Sequence, residues 1–248
     1  MKGGRILRTG LFVLLLGVFC VSAYQLYQYW REGQENQKVT DRLFSQAVTV
    51  EEQTEDTSSA VPISVDFDQL KKENQDIVAW LYCPDTIINY PVLQAEDNSY
   101  YLHRLADGSD NKAGSLFMDC RNQEDCSDWD TVIYGHHMKD KSMFGTLVNY
   151  REQEYYDQHP VLYLFTPERK YEIDLVAGFV TEADSEVYTL PQSQEELDDL
   201  LTQAKEVSTF LSDVEVLPEE RIVTLSTCSY EYEDARFVVL GVLRELAS

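Results

Sequence analysis

Hydrophobic and polar positions change their period three times along this 248-residue chain, and each change marks a different kind of element. Residues 11–24, LFVLLLGVFCVSAY, contain no charge. With Gln25–Trp30 they form a run long enough to cross a bilayer as a helix. Lys2, Arg5 and Arg8 precede the run, a bias that predicts the N-terminus inside and the rest of the chain outside a single-pass membrane anchor. Tyr24, Tyr27, Tyr29 and Trp30 then serve as an interfacial aromatic belt. Val21-Ser22-Ala23 loosely matches a small-residue cleavage site, so a removed signal peptide is the competing reading. Residues 32–62 are polar and acidic, turn Ser/Thr-rich towards their end, and hold too few apolar residues for a core. They read as a stalk. The organisation expected is therefore an anchor over 1–31, a stalk over 32–62 and a folded extracytoplasmic domain over 63–248.

Within that domain the period is first helical. Asp66 caps a short helix with apolar positions Phe67, Leu70, Ile77 and Val78. The pattern then becomes strand-like. Candidates are Ala79–Leu81, Ile87–Val92, Ser115–Met118, Thr131–Tyr134, Val161–Thr166, Lys170–Val180, Arg221–Thr227 and Arg236–Leu243. Eight short strands suggest a barrel. One helix interrupts them: Ser193 and Glu196 make a capping box, and Leu197, Leu200, Leu201, Ala204 and Val207 make one apolar stripe.

Charge narrows the choice of partners. Setting aside Lys2, Arg5, Arg8 and Arg31 leaves 16 Lys and Arg against 44 Asp and Glu over residues 32–248, a net charge of −28. Such a surface repels phosphate backbones, which argues against nucleic-acid binding and against adsorption of the ectodomain to anionic lipid. Of five cysteines, Cys20 lies in the apolar run and Cys83, Cys120, Cys126 and Cys228 lie outside it. Cys120 and Cys126 flank a short acidic loop, where a small disulfide and two free thiols both remain open. No spacing of a zinc site is present and no metal is implied.

The candidate chemistry gathers near the C-terminus. Arg221-Ile-Val-Thr-Leu-Ser-Thr-Cys228 places Ile222, Thr224, Ser226 and Cys228 on one face of a strand that the thiol ends. Arg236 opens the next strand after a short acidic connection, so an antiparallel hairpin would set the guanidinium beside the thiol. In DTVIYGHHM, strand parity turns His136 and His137 to opposite faces, and one of them is expected to meet the thiol. Cysteine, histidine and arginine together suit acyl transfer: a thiolate nucleophile, an imidazole that moves the proton, and a cation that holds the oxyanion. A strand-end cysteine packed as a small hydrophobe and a structural histidine are the plain alternatives.

TLSTC with Arg236 eight residues beyond Cys228, and YGHHM with His136 92 residues before it, resemble the sortases, cell-wall transpeptidases of Gram-positive bacteria. NQDIVAWLYCPDTIINYPVLQ, NKAGSLFMDCRN, SMFGTL and DARFVVLGVL resemble class B in particular, and the likeness covers about residues 66–246. The resemblance implies a mainly β fold, an eight-stranded barrel with an N-terminal helix and a long helix between strands six and seven. It implies Cys228 as nucleophile, His136 as general acid/base and Arg236 as the oxyanion and substrate-orienting residue. Ser226 and Thr227 are expected to contact the peptide. The implied reaction cleaves a sorting signal at a Thr–Gly-type bond through a thioester and joins the surface protein to a lipid-linked peptidoglycan amine, with no cofactor. The sequence departs from the class pattern at His137, where asparagine is common, and at Cys120, where an aromatic residue is common. A pilin-polymerising sortase, an L,D-transpeptidase and an idle cell-surface scaffold stay open; the second would favour a glycine before the cysteine, where Thr227 stands.

Overall fold

The computed structural model describes residues 2–50 and 63–246, so the second half of the expected stalk, 51–62, lies outside the described residues. Helix α1 (Lys2–Ala47) contains the apolar run but does not stop with it. Residues 32–47, read from composition as stalk, continue the helix and dock on the domain through Asn36, Thr40, Leu43 and Ala47, all buried. The segment has too few apolar residues for a core of its own. It has enough for one helical stripe against a core supplied by Ile63, Phe67, Leu70, Ile77 and Trp80. Strand β1 (Val48–Val50) then pairs antiparallel with β2 (Ile63–Val65).

Helix α2 (Phe67–Glu73) is capped by Asp66, whose carboxylate accepts from Gln69 N at 2.9 Å. It ends earlier than its apolar pattern suggested, because Asn74 turns the chain by donating to Tyr101 Oη and Ala106 O, both at 2.9 Å. Ile77 and Val78, read as helical, instead open strand β3 (Ile77–Tyr82).

Seven further strands complete a closed barrel: β4 (Asn89–Leu93), β5 (Leu116–Met118), β6 (Asp130–Tyr134), β7 (Val161–Phe165), β8 (Lys170–Glu182), β9 (Arg221–Cys228) and β10 (Ala235–Glu245). Their order around the barrel is β10-β8-β7-β3-β4-β5-β6-β9, with β9 pairing back to β10. The fold is mainly β, as expected. The pairs β4–β5 and β6–β9 are parallel and the rest antiparallel. A short helix, α3 (Gln153–Gln158), precedes β7. Helix α4 (Gln194–Val207) lies between β8 and β9, the sixth and seventh barrel strands. Ser193 Oγ accepts from Glu196 N at 3.3 Å, and the Glu196 carboxylate reaches back to Gln192 N at 2.7 Å, one residue beyond the usual capping-box target.

Alternation along β9 separates two cores. Val223 and Leu225 join Ile133, Phe237 and Val239 in the barrel interior. Ile222 lies with Val238, Leu240 and Val242 on the outer face, sealed by Leu197, Leu201 and Ala204 of α4. Ser226 and Cys228 continue that outer face beyond the helix. The thiol consequently emerges in a cleft outside the barrel wall.

Candidate active site

The β9–β10 hairpin forms as the sequence suggested, with Cys228 and Arg236 as direct cross-strand partners. Facing residues of an antiparallel pair project to the same side, which brings guanidinium and thiol to one surface. Arg236 Nη1 donates to the carbonyls of Asp234 and Ala235, each at 3.1 Å. One arm of the fork is thereby fixed, and its other N–H groups are left for an acceptor in the cleft.

The histidine arrives from the other side of β9. Strand β6 runs parallel to β9 until Tyr134 pairs with Ser226. Gly135 is then stitched to β9 twice: its N–H donates to Ser226 O at 3.0 Å, and Thr227 Oγ1 donates to its carbonyl at 2.8 Å. A Cβ at Gly135 would lie 2.4 Å from Leu116 Cδ2 and 2.6 Å from Phe144 Cδ2, so a side chain here would displace the next residue, His136. His136 Nε2 sits 2.8 Å from the carbonyl of Leu102. A carbonyl only accepts, so Nε2 carries the proton and Nδ1 is the nitrogen free to exchange one.

His136, Cys228 and Arg236 line one cleft of about 280 Å³, together with Asn98, Leu102, Tyr134, Tyr188 and Ser226. Ser226 presents its hydroxyl there, 2.8 Å from Tyr188 Oη. Thr227 also lines the cleft, but its hydroxyl is committed to Gly135.

A model of the sortase domain family matches residues 81–244. Sortase B of Listeria monocytogenes is 35% identical over 246 residues, covering 98% of this chain and 99% of that protein. The chain belongs to the class B sortases. Among solved structures, a sortase B from B. anthracis superposes with a TM-score of 0.75 at 35% identity, covering 88% of this chain and 100% of that one. A Staphylococcus aureus sortase B–substrate complex gives 0.69 at 33% identity over 73% of this chain and 85% of that one. The sortase is thus an enzyme of the cysteine transpeptidase kind, and an L,D-transpeptidase is no longer in question.

One sequence-based argument needs correcting for this sortase, and one open choice is narrowed. Parity set His136 and His137 on opposite faces of a continuing strand, yet β6 has ended by Tyr134 and alternation governs neither histidine. His137 Nδ1 donates to the carbonyl of Cys228 at 2.9 Å, and its ring lies 5.1 Å from that of Tyr230. It braces the backbone that carries the thiol. Of the two states left open for Cys120 and Cys126, the structure has the free thiols, Cys120 exposed and Cys126 buried in the barrel core. Burial pushes the Cys126 thiol up to about 12.

Asp119 was not singled out from the sequence, although it supports two walls of the cleft. Its Oδ2 accepts from Asn98 Nδ2 at 3.0 Å and from Tyr134 Oη at 2.9 Å, while Arg121 binds both carboxylate oxygens at 2.8 Å. Burial raises the carboxyl, but the bonds from Arg121 and Tyr134 outweigh it and hold Asp119 down at about 2. A fixed anion therefore orients Asn98 and Tyr134 at any physiological pH. The motif MDCRN contained the signal, an Asp two residues before an Arg, but nothing local said what the pair would hold.

Proposed function

We propose that Cys228, His136 and Arg236 carry a two-step transpeptidation of a sorting signal. The carrying observation is the convergence of three side chains, from β9, β10 and the turn after β6, on one cleft. The Cys228 thiolate attacks the scissile carbonyl carbon of a Thr–Gly-type bond. Free N–H groups of Arg236 donate to the oxygen as it gains charge. Protonated His136 gives its Nδ1 proton to the departing amine, and the carbonyl stays on sulfur as a thioester. An incoming amine from a lipid-linked peptidoglycan precursor then attacks that thioester. His136 Nδ1 accepts the amine proton, the C–S bond breaks, and an amide joins surface protein to acceptor. No electrons are exchanged, so this cycle needs no redox partner.

The location proposed for this chemistry is the outer face of the cell membrane, with α1 as an uncleaved single-pass anchor. The first part of α1 includes an 18-residue window with mean hydropathy 1.9 that is not buried by any of the described residues. Sorting-signal-bearing surface proteins and the lipid-linked acceptor would both be within reach there.

The test is mass spectrometry of products from a library of sorting-signal peptides incubated with full-length protein, with and without a soluble amine. A thioester adduct on Cys228, cleavage at one bond, and transfer to the amine are expected. Cys228→Ala should abolish all three. Cleavage that persists in Cys228→Ala at wild-type rate would overturn the assignment.

A further inference from the structure

Helix α1 divides at a sharp position. Residues 8–27 are exposed on every side, whereas from Gln28 and Tyr29 onwards one face is covered at regular helical intervals, through Glu32 and Gly33 to Asn36, Thr40, Leu43 and Ala47. At 1.5 Å per residue the bare stretch is about 30 Å long, the thickness of a bilayer hydrocarbon core. The catalytic domain thus begins where the bilayer would end. No break in the helix separates the two parts, so the domain has a fixed height and orientation on its anchor.

The domain surface at that height belongs to the loop that carries the histidines. Lys139 N donates to Tyr29 Oη at 3.0 Å, and Met138 lines a recess with Tyr24, Tyr29 and Lys112. Lys112 pairs with Glu32 at 3.4 Å while staying 79% exposed. Lys139 and Lys141 are exposed and form no ion pair among the described residues. Three lysines against Glu32 and Asp140 leave a local excess of positive charge on an ectodomain of net charge −28. Elsewhere this domain repels an anionic surface; here it attracts one.

We propose that the face formed by Lys112, Met138, Lys139 and Lys141 rests in the phospholipid headgroup layer and holds the catalytic cleft at the bilayer surface. Each headgroup layer is roughly 5–7 Å deep, and Tyr29 lies about two helical residues, about 3 Å, above the hydrocarbon boundary. Lys139, bonded to Tyr29, is within that layer. His136 precedes Lys139 by three residues, so its backbone is no more than about 11 Å further away. The inference rests on the anchor reading of α1 and adds to it a specific docking face. It would place the proposed reaction within reach of two substrates that are themselves held in the same membrane.

Depth-dependent quenching tests it in the full-length protein reconstituted in vesicles of phosphatidylglycerol and phosphatidylcholine. Cys20, Cys120 and Cys228 are replaced by serine, and a single fluorophore is attached through Lys139→Cys, Lys112→Cys or Gln46→Cys. Gln46 is exposed on α1 and lies about 27 Å further from the bilayer than Gln28. A headgroup-attached nitroxide lipid should quench most of the emission at 139 and 112 and leave 46 unchanged. Equal quenching at all three positions, or none at 139 and 112, overturns the docking face. The label at 112, on a separate loop, keeps the test decisive should the Lys139 variant fold poorly. Alkaline extraction of the same vesicles separates the two failures: protein released from the membrane defeats the anchor reading, and protein retained but unquenched at 139 defeats only the docking face.

Discussion

Replacing His136 and His137 one at a time by alanine separates a residue proposed to move a proton from one that holds the backbone. For His137 the loss can be assembled from its contacts. Its hydrogen bond to the Cys228 carbonyl at 2.9 Å is worth about 0.5–1.5 kcal/mol net, and its contact with the Tyr230 ring about as much again. His137→Ala should therefore lower stability by about 1–3 kcal/mol, or about 2–4 °C in Tm per kcal/mol for a domain of this size. Only the part that lets Cys228 move enters the rate, so kcat/KM should fall by no more than about tenfold. His136→Ala instead removes both the acid for amine departure and the base for acceptor attack. Its expected loss is about 10²–10⁴-fold, or about 3–5 kcal/mol of transition-state stabilisation. The assay is cleavage of a fluorogenic sorting-signal peptide by full-length protein, with thermal unfolding measured on the same samples. A folded His137→Ala protein as inactive as His136→Ala would refute the assignment and make His137 the proton carrier.

Arg236→Lys keeps a positive charge but not a fork able to brace two carbonyls and still donate into the cleft. It should cost about 2–4 kcal/mol in kcat/KM, and near wild-type turnover would remove Arg236 from the reaction. In non-reduced protein an alkylating reagent should label Cys120 and leave buried Cys126 unlabelled until unfolding; an intact mass showing a Cys120–Cys126 bridge would contradict the free thiols. Burial pushes the Asp130 carboxyl up to about 7, with Thr224 Oγ1 as its partner at 2.9 Å. Between about pH 4 and pH 7 the folded chain therefore keeps a proton that the unfolded chain releases, and stability falls as pH rises through that window. Asp130→Asn should remove most of this fall and be the more stable protein at pH 8 in urea titrations. An unchanged pH dependence in the variant would show that another group is responsible.

The strand pattern was legible because short runs rich in apolar and β-branched residues end at turn residues, whether a strand buries one face or, like β9, both. Such runs and turn residues marked all eight, and the hairpin of Cys228 with Arg236 followed from a short connection between consecutive strands. The residue types that suit acyl transfer, and the class B likeness, were equally present in TLSTC, YGHHM and DARFVV. Local pattern failed where a neighbour supplied what the segment lacked. Residues 32–47 looked like stalk because a single apolar stripe means little until Ile63, Phe67 and Trp80 provide the surface it covers.

The sequence by itself determined the strands, the anchor-like run, the nucleophile candidate and its arginine partner, since all of these depend on residues close together in the chain. Only the tertiary structure decided what distant segments do to one another. It required the parallel pairing of β6 with β9 to bring His136 into the cleft that Cys228 lines, the carbonyl of Leu102 to fix which of its nitrogens is protonated, and Asp119 to brace Asn98 and Tyr134. It also turned His137 inward to Cys228 after β6 had ended, where strand alternation no longer applies. Alternation is a property of one extended backbone; a hydrogen bond across 91 positions depends on how the barrel closes.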